Sequence, residues 1–290
     1  VRPEERGRVI IEGNLRKQPI FTKKDSNSTN GRNLLNHIEE FYYTSLAAQN
    51  TTQRKNENQE IFYVVKGIGK LNSDKTESRI GVGFAFIVPP QVSYAIHNNS
   101  SSNPLEMLVI SETPPQNPNK NITIRSTDEI PHDEFDPPLH WCHSSKTIFA
   151  YDKDNLSNVH YISLVYIPPN KLPEPHKHFP GHDEVWQALK GKSRMAFREN
   201  HFEHTPGTSV LIPDDGKTEH ASITGSEEAK FLFFMHHFAL ENRILVTGSS
   251  GTIGKIVKAH LKNNGYQFIT ELDKDNEENP VEMLNDDITE

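Results

Sequence analysis

One cysteine, Cys142, is all that the 290 residues contain. No internal disulfide can form, and a cysteine-rich zinc site is excluded. No apolar run approaches the ~20 residues of a membrane-spanning helix, so no membrane partner is expected. The opening residues, VRPEERGRVI, lack the apolar stretch of a secretory leader, and the expected location is cytoplasmic. Basic clusters are lacking too. The net charge of −8 comes from residues 271–290, which hold nine acidic residues and one lysine. The preceding chain is neutral overall and has no basic stripe, so nucleic acid is not an expected partner. Charge points instead to a small-molecule ligand.

What is present is a repeat. Glu60, the run IFYVVK and Gly67 are followed by Gly83, FAFIV and Pro89. Glu184, VWQALK and Gly191 are followed by Gly207, TSVLI and Pro213. All four landmarks are displaced by 124 residues, which implies duplicated domains. Each copy reads as short strands separated by Gly, Pro and Asn, the pattern of an antiparallel sandwich or barrel. Residues 113–139 are rich in Pro and Asn and read as a connector.

The residues before Glu184 set the copies apart. The stretch PEPHKHFPGHDE holds His176, His178 and His182, and twelve of the 15 histidines lie between 132 and 237. The upstream counterpart, TTQRKNENQE, has none. Two histidines two residues apart on a strand point to one face. The bland alternative is a set of polar residues beside a Pro-Gly turn.

A His-x-His pair, a following Glu, six residues and a Gly resemble the first motif of the cupin family. Gly, five residues, Pro, then Gly216 and His220 resemble the second. Residues 35–240 thus resemble a bicupin, two tandem jelly-roll β-barrels in a mainly β chain. The resemblance implies a metal held by His176, His178, Glu184 and His220. The metal would be a divalent transition ion, with Fe, Mn, Ni, Cu and Zn not distinguished. The sequence departs from the family pattern in three places. Five residues separate His178 from Glu184, the second motif is long, and Thr224 stands where Asn is customary. His182 accordingly either substitutes for one ligand or lies at the pocket mouth. The first copy keeps Glu60 but has Tyr94 where the motif expects His, with His97 just beyond. It reads as a metal-free barrel.

Other features carry less. His140, Cys142 and His143 offer three donors at most, and packing of Trp141 is the expected role of that segment. One of His236 and His237 should face the core. Arg194, Arg198 and Lys217 are candidates for holding an anion.

After residue 242 the pattern changes to strand, Gly-rich turn, helix, strand. Gly248, Gly251 and Gly254 follow the apolar ILVT and fit a dinucleotide-binding turn, with Asp273 placed for the ribose. This stretch resembles the start of an extended short-chain dehydrogenase, or NAD-dependent epimerase, domain. It reads as a truncated Rossmann-like βαβ segment, and NAD(P) is expected only if that domain is complete. The expected divisions are an extension (1–34), a first barrel (35–112), the connector (113–139), a metal-binding barrel (140–240) and the partial segment (241–290). The expected function is a metal-dependent enzyme on a small polar molecule, either a sugar isomerase or epimerase or an oxygenase. A non-catalytic sugar or carboxylate binder is the alternative, and a homodimer is compatible with either.

Overall fold

The computed structural model describes residues 1–24, 32–73, 76–133, 142–178, 180–236, 243–247, 252–253, 255–257 and 268–272. Two compact units, Val1–His237 and Phe238–Glu290, divide the chain.

The first unit holds two pairs of β-sheets. In the first pair, an eight-stranded sheet runs Ile10–Glu12, Leu15–Lys23, Glu40–Leu46, Leu105–Glu112, Gln59–Lys66, Phe84–Val88, Thr123–Ser126, with Arg32–Leu35 beside Leu15–Lys23. Its partner is a four-stranded sheet, Thr51–Lys55, Ser93–Asn98, Ile68–Ser73, Thr76–Gly81. In the second pair, a five-stranded sheet runs Ser144–Ala150, Val159–Ile167, Ala229–His236, Glu184–Lys190, Ser209–Leu211. A three-stranded sheet, Asn200–His204, Ser193–Phe197, His220–Thr224, accompanies it.

Side-chain alternation explains the assembly. Along Gln59–Lys66, Phe62 and Val64 join Leu71, Ile80, Tyr94 and Ile96 of the four-stranded sheet in one core. Ile61 and Tyr63 point the other way and pack with Val185, Leu232 and Phe234 of the five-stranded sheet. The two large sheets are therefore back to back, with Phe41 edge-on to Phe234 at 5.0 Å. A sheet buried on both faces needs near-continuous apolar strands, hence the runs IFYVV and FLFFM. Each fully buried Phe contributes about 1.5–3 kcal/mol.

The repeat is a structural one. Glu60 pairs with Ser111, and Glu184 pairs with Met235, both members being 124 residues apart. Gly67 and Gly191 both have positive φ, +88° and +76°, and a Cβ would strike the carbonyl of Pro104 or of Glu228. Only glycine lets the chain turn there so close to another strand.

The halves also clasp each other. The Asp183 carboxylate accepts the backbone N–H groups of Asn36 and His37 at 2.7 Å and of Ile38 at 3.0 Å. Reciprocally, Glu112 accepts those of Ser157, Asn158 and Val159 at 2.8–3.1 Å. Both carboxylates are fully buried, where such bonds are needed to offset lost hydration.

Residues 1–34 and 113–139, expected as an extension and a connector, both contain strands. Within residues 1–34, Leu15–Lys23 pairs with Glu40–Leu46 along its length, and its Leu15, Ile20 and Phe21 belong to the cores. The connector holds a strand as well, Thr123–Ser126, which covers the edge Phe84–Val88. In the second unit, Arg243–Thr247 and Phe268–Leu272 pair in parallel, and residues 252–253 and 255–257 are helical.

Candidate metal centre

Backbone pairing brings the histidines to one place. His176 and His220 exchange N–H···O bonds of 3.2 and 2.8 Å, forming an isolated bridge at the start of His220–Thr224. His178, two residues on, reaches the strand Glu184–Lys190. Its Nε2 lies 2.6 Å from Glu184 Oε2, and His220 Nε2 lies 3.2 Å from Glu184 Oε1. The Trp186 indole N–H donates to the same carboxylate. His182 and Glu184 are also two apart, so both turn inward while Asp183 turns to the first half. The His182 ring stacks on His178 at 4.9 Å and 13°.

Donor atoms within 4.8 Å of one another form two sets, His176/His178/His220 and His178/His182/Glu184. Together they contain the four expected ligands and His182, with His178 common to both. His182 is 4% exposed and is among the residues that line an adjoining cavity. Imidazoles with one carboxylate form a donor set suited to divalent transition metals. Glu184 is completely buried, and burial alone would favour its neutral form. The facing His178 and His220 outweigh that effect and hold its carboxyl well below the usual range.

A cavity of about 660 Å³ opens beside His182, with Phe21, Leu211 and Phe202 among its apolar walls and Lys24 and Arg32 among its polar ones. Arg194, Arg198 and Lys217, the expected anion-holding residues, are exposed at the surface. Arg198 donates to the Lys217 carbonyl at 3.0 Å. Cys142 is buried, and burial pushes its thiol up, which disfavours the thiolate a nucleophile needs. His140, Trp141 and His237 lie outside the described residues, as do Gly248, Gly251, Gly254 and Asp273.

Of two further neighbours of the centre, the sequence pointed to the inward member of His236 and His237 but not to Asp183. Asp183 anchors the first half, as above. His236, 3% exposed, accepts from the Asp183 N–H through Nδ1 at 3.0 Å. The preference for one inward residue of His236 and His237 pointed toward it, but nothing local revealed its neighbours.

The first half has a different arrangement around Glu60. Tyr42 and Tyr94 donate hydroxyl hydrogens to it at 2.8 and 3.0 Å, Arg54 reaches it at 3.2 Å, and the Asn56 amide also donates. Ile96 faces Thr52 across the sheet as His220 faces His176, so the structural counterpart of His220 is Ile96 rather than Tyr94. His97 bonds Thr51 and Asn72 instead of Glu60.

Residues 45–111 match the cupin domain model. Over that stretch the chain is similar to a cupin domain. The match covers the half without the histidine cluster. No curated protein matches the chain by sequence. Among solved structures, a Pseudomonas aeruginosa protein described as glyoxylate-induced is 14% identical, with a TM-score of 0.63 over 80% of this chain and 84% of that one. A mutant of Bacillus subtilis oxalate decarboxylase is 14% identical, with a TM-score of 0.59 over 90% and 83%. Vicilin from hazelnut, Corylus avellana, is 10% identical, with a TM-score of 0.58 over 81% and 84%. At such identities the likeness shows a shared cupin fold extending well beyond residues 45–111.

Proposed function

We propose that this cupin is a bicupin whose second barrel, residues 140–240, binds a divalent transition metal through His176, His178, Glu184 and His220. His182 is available as a substitute ligand. The carrying observation is a buried carboxylate with two imidazole nitrogens at 2.6 and 3.2 Å and two further histidines beside them. The metal would supply Lewis acidity toward a carbonyl or carboxylate, or a redox centre. The protein side chains fix that ion, and the adjoining cavity admits a small polar molecule. An enzyme acting on a sugar derivative, as isomerase, epimerase or oxygenase, is the reading we favour. The fold shared with an oxalate decarboxylase keeps carboxylates in the screen. Residues 241–290 are read as the start of an NAD(P)-binding segment, with which the parallel strand pair is consistent.

The test is metal content of the protein against the His176→Ala/His178→Ala variant. About one ion per chain should fall to none, and equal stoichiometry would sink the site. Turnover of sugars and small carboxylates by the metal-loaded protein then separates an enzyme from a binding protein. The binding reading is favoured by one observation: no acid–base pair outside the ligand set is evident among the described residues.

A further inference from the structure

Four imidazoles form a row that starts at the candidate centre and ends in the other half of the unit. His178 and His182 stack at 4.9 Å, His182 and His236 are 4.9 Å apart at 55°, and His236 stacks on His37 at 4.0 Å and 19°. We propose that His236 and His37 are positioning residues that hold His182 in the centre, so that the first half completes the second half's site. This rests on the metal reading above in the form in which His182 serves as a ligand.

His182 stands between a turn at Gly181, with φ of +84°, and the strand beginning at Glu184. Its ring packs between those of His178 and His236. His236 is itself fixed: the Asp183 N–H donates to its Nδ1, and the His236 N–H donates to the Asp183 carbonyl at 2.9 Å. Its Nδ1 is thereby an acceptor, and the neutral ring carries its hydrogen on Nε2. His37 closes the row from the far side. Its N–H is held by the Asp183 carboxylate at 2.7 Å and its carbonyl by Asn158 Nδ2 at 2.6 Å. Asp183 lies between His182 and Glu184 in sequence, so a single residue joins the clasp to the centre. Groups that orient a metal ligand change metal affinity by roughly 10–100-fold.

The test uses cobalt(II) as probe on the full chain, with affinity from chelator competition and the absorption spectrum as the sign of ligand geometry. His37→Ala and His236→Ala should weaken cobalt about tenfold or more and change the spectrum at unchanged stoichiometry. His236→Gln, whose amide oxygen can still accept from Asp183, should recover part of the loss. In a His182→Ala background, His37→Ala should have no further effect on affinity, because its action runs through His182. In metal-free protein, the His182 ring signals in nitrogen NMR should shift in both alanine variants. Wild-type affinity and spectrum in folded variants would overturn the assignment, as would full additivity with His182→Ala. Unmoved His182 signals in the metal-free variants would overturn it without reference to any metal. Failure of the wild type to bind cobalt would count against the metal reading alone, leaving the NMR result to judge the row.

Discussion

Glu60 and Glu184 stand 124 residues apart at the same register of two like sheets, both buried, and they are compensated in opposite ways. His178 is displaced by 124 residues from Arg54, His176 from Thr52 and His220 from Ile96. In the first half a guanidinium, two phenols and an amide surround the carboxylate. In the second, imidazoles do. Arg54 carries its charge permanently, and burial works against it, but the Glu60 carboxylate more than compensates and raises its pKa. Tyr42 and Tyr94 are pushed up by burial and by Glu60, so they stay protonated and donate. The first half thus supplies an internal cation, whereas the second supplies imidazoles, ligands that an external cation can bridge. One framework serves both because the barrel landmarks lie elsewhere, in the glycines and the apolar strands.

The largest effect should come from removing the internal cation. Arg54→Met leaves Glu60 buried without its charge partner and should cost roughly 3–5 kcal/mol of unfolding free energy, read by urea titration. Loss below 1 kcal/mol would show that the phenols alone suffice and that the guanidinium is no substitute for an ion.

A second difference lies at His204, fully buried where the first half has Ile80. Burial lowers its pKa from 6.5 to about 4. The unfolded chain therefore binds a proton below pH 6.5 that the folded chain refuses until about pH 4. Stability contributed by this site is complete above 6.5 and falls as pH drops through that window, by roughly 3 kcal/mol. His204→Leu should flatten that part of the stability profile. An unchanged slope would assign the acid sensitivity to other groups.

Adding metal should act on one half alone. At about a hundredfold excess over Kd the ion should stabilise the wild type by roughly 2.7 kcal/mol. Glu184→Gln should abolish most of this gain, whereas Glu60→Gln should leave it in place, whatever its cost to basal stability. An equal gain in both variants would erase the distinction between the halves.

Much of this contrast was legible in the sequence, because it depends on residue types at fixed spacing. The displaced Glu, Gly, Gly and Pro located the copies, and His176 and His178, two apart, marked the richer one. The match of Ile96 rather than Tyr94 to His220 follows from the same 124-residue displacement, and the strand register agrees with it. Asp183, Glu112 and His37 were hidden. Their partners are more than forty residues away, on loops whose backbone amides leave no trace in composition. The strand within residues 1–34 was less legible because Pro19 and the polar Arg16, Lys17 and Gln18 interrupt its apolar residues.

The smallest effect offers the finest comparison. Tyr94 and Thr218 are again 124 residues apart, but their hydroxyls have separate tasks. Tyr94 donates to buried Glu60 at 3.0 Å, while Thr218 donates to the exposed Asp215 at 2.7 Å. Tyr94→Phe keeps the ring's packing against Phe62 and removes only a hydrogen bond to a charged, buried acceptor. It should cost about 1.5–3 kcal/mol. Thr218→Val removes a bond that water can replace, and should stay within ~0.5 kcal/mol. Measured together by denaturant titration, the pair asks whether position or partner sets the cost of a hydroxyl. Equal costs would mean that Glu60 does not depend on its phenols, and that Arg54 alone stands in for the ion.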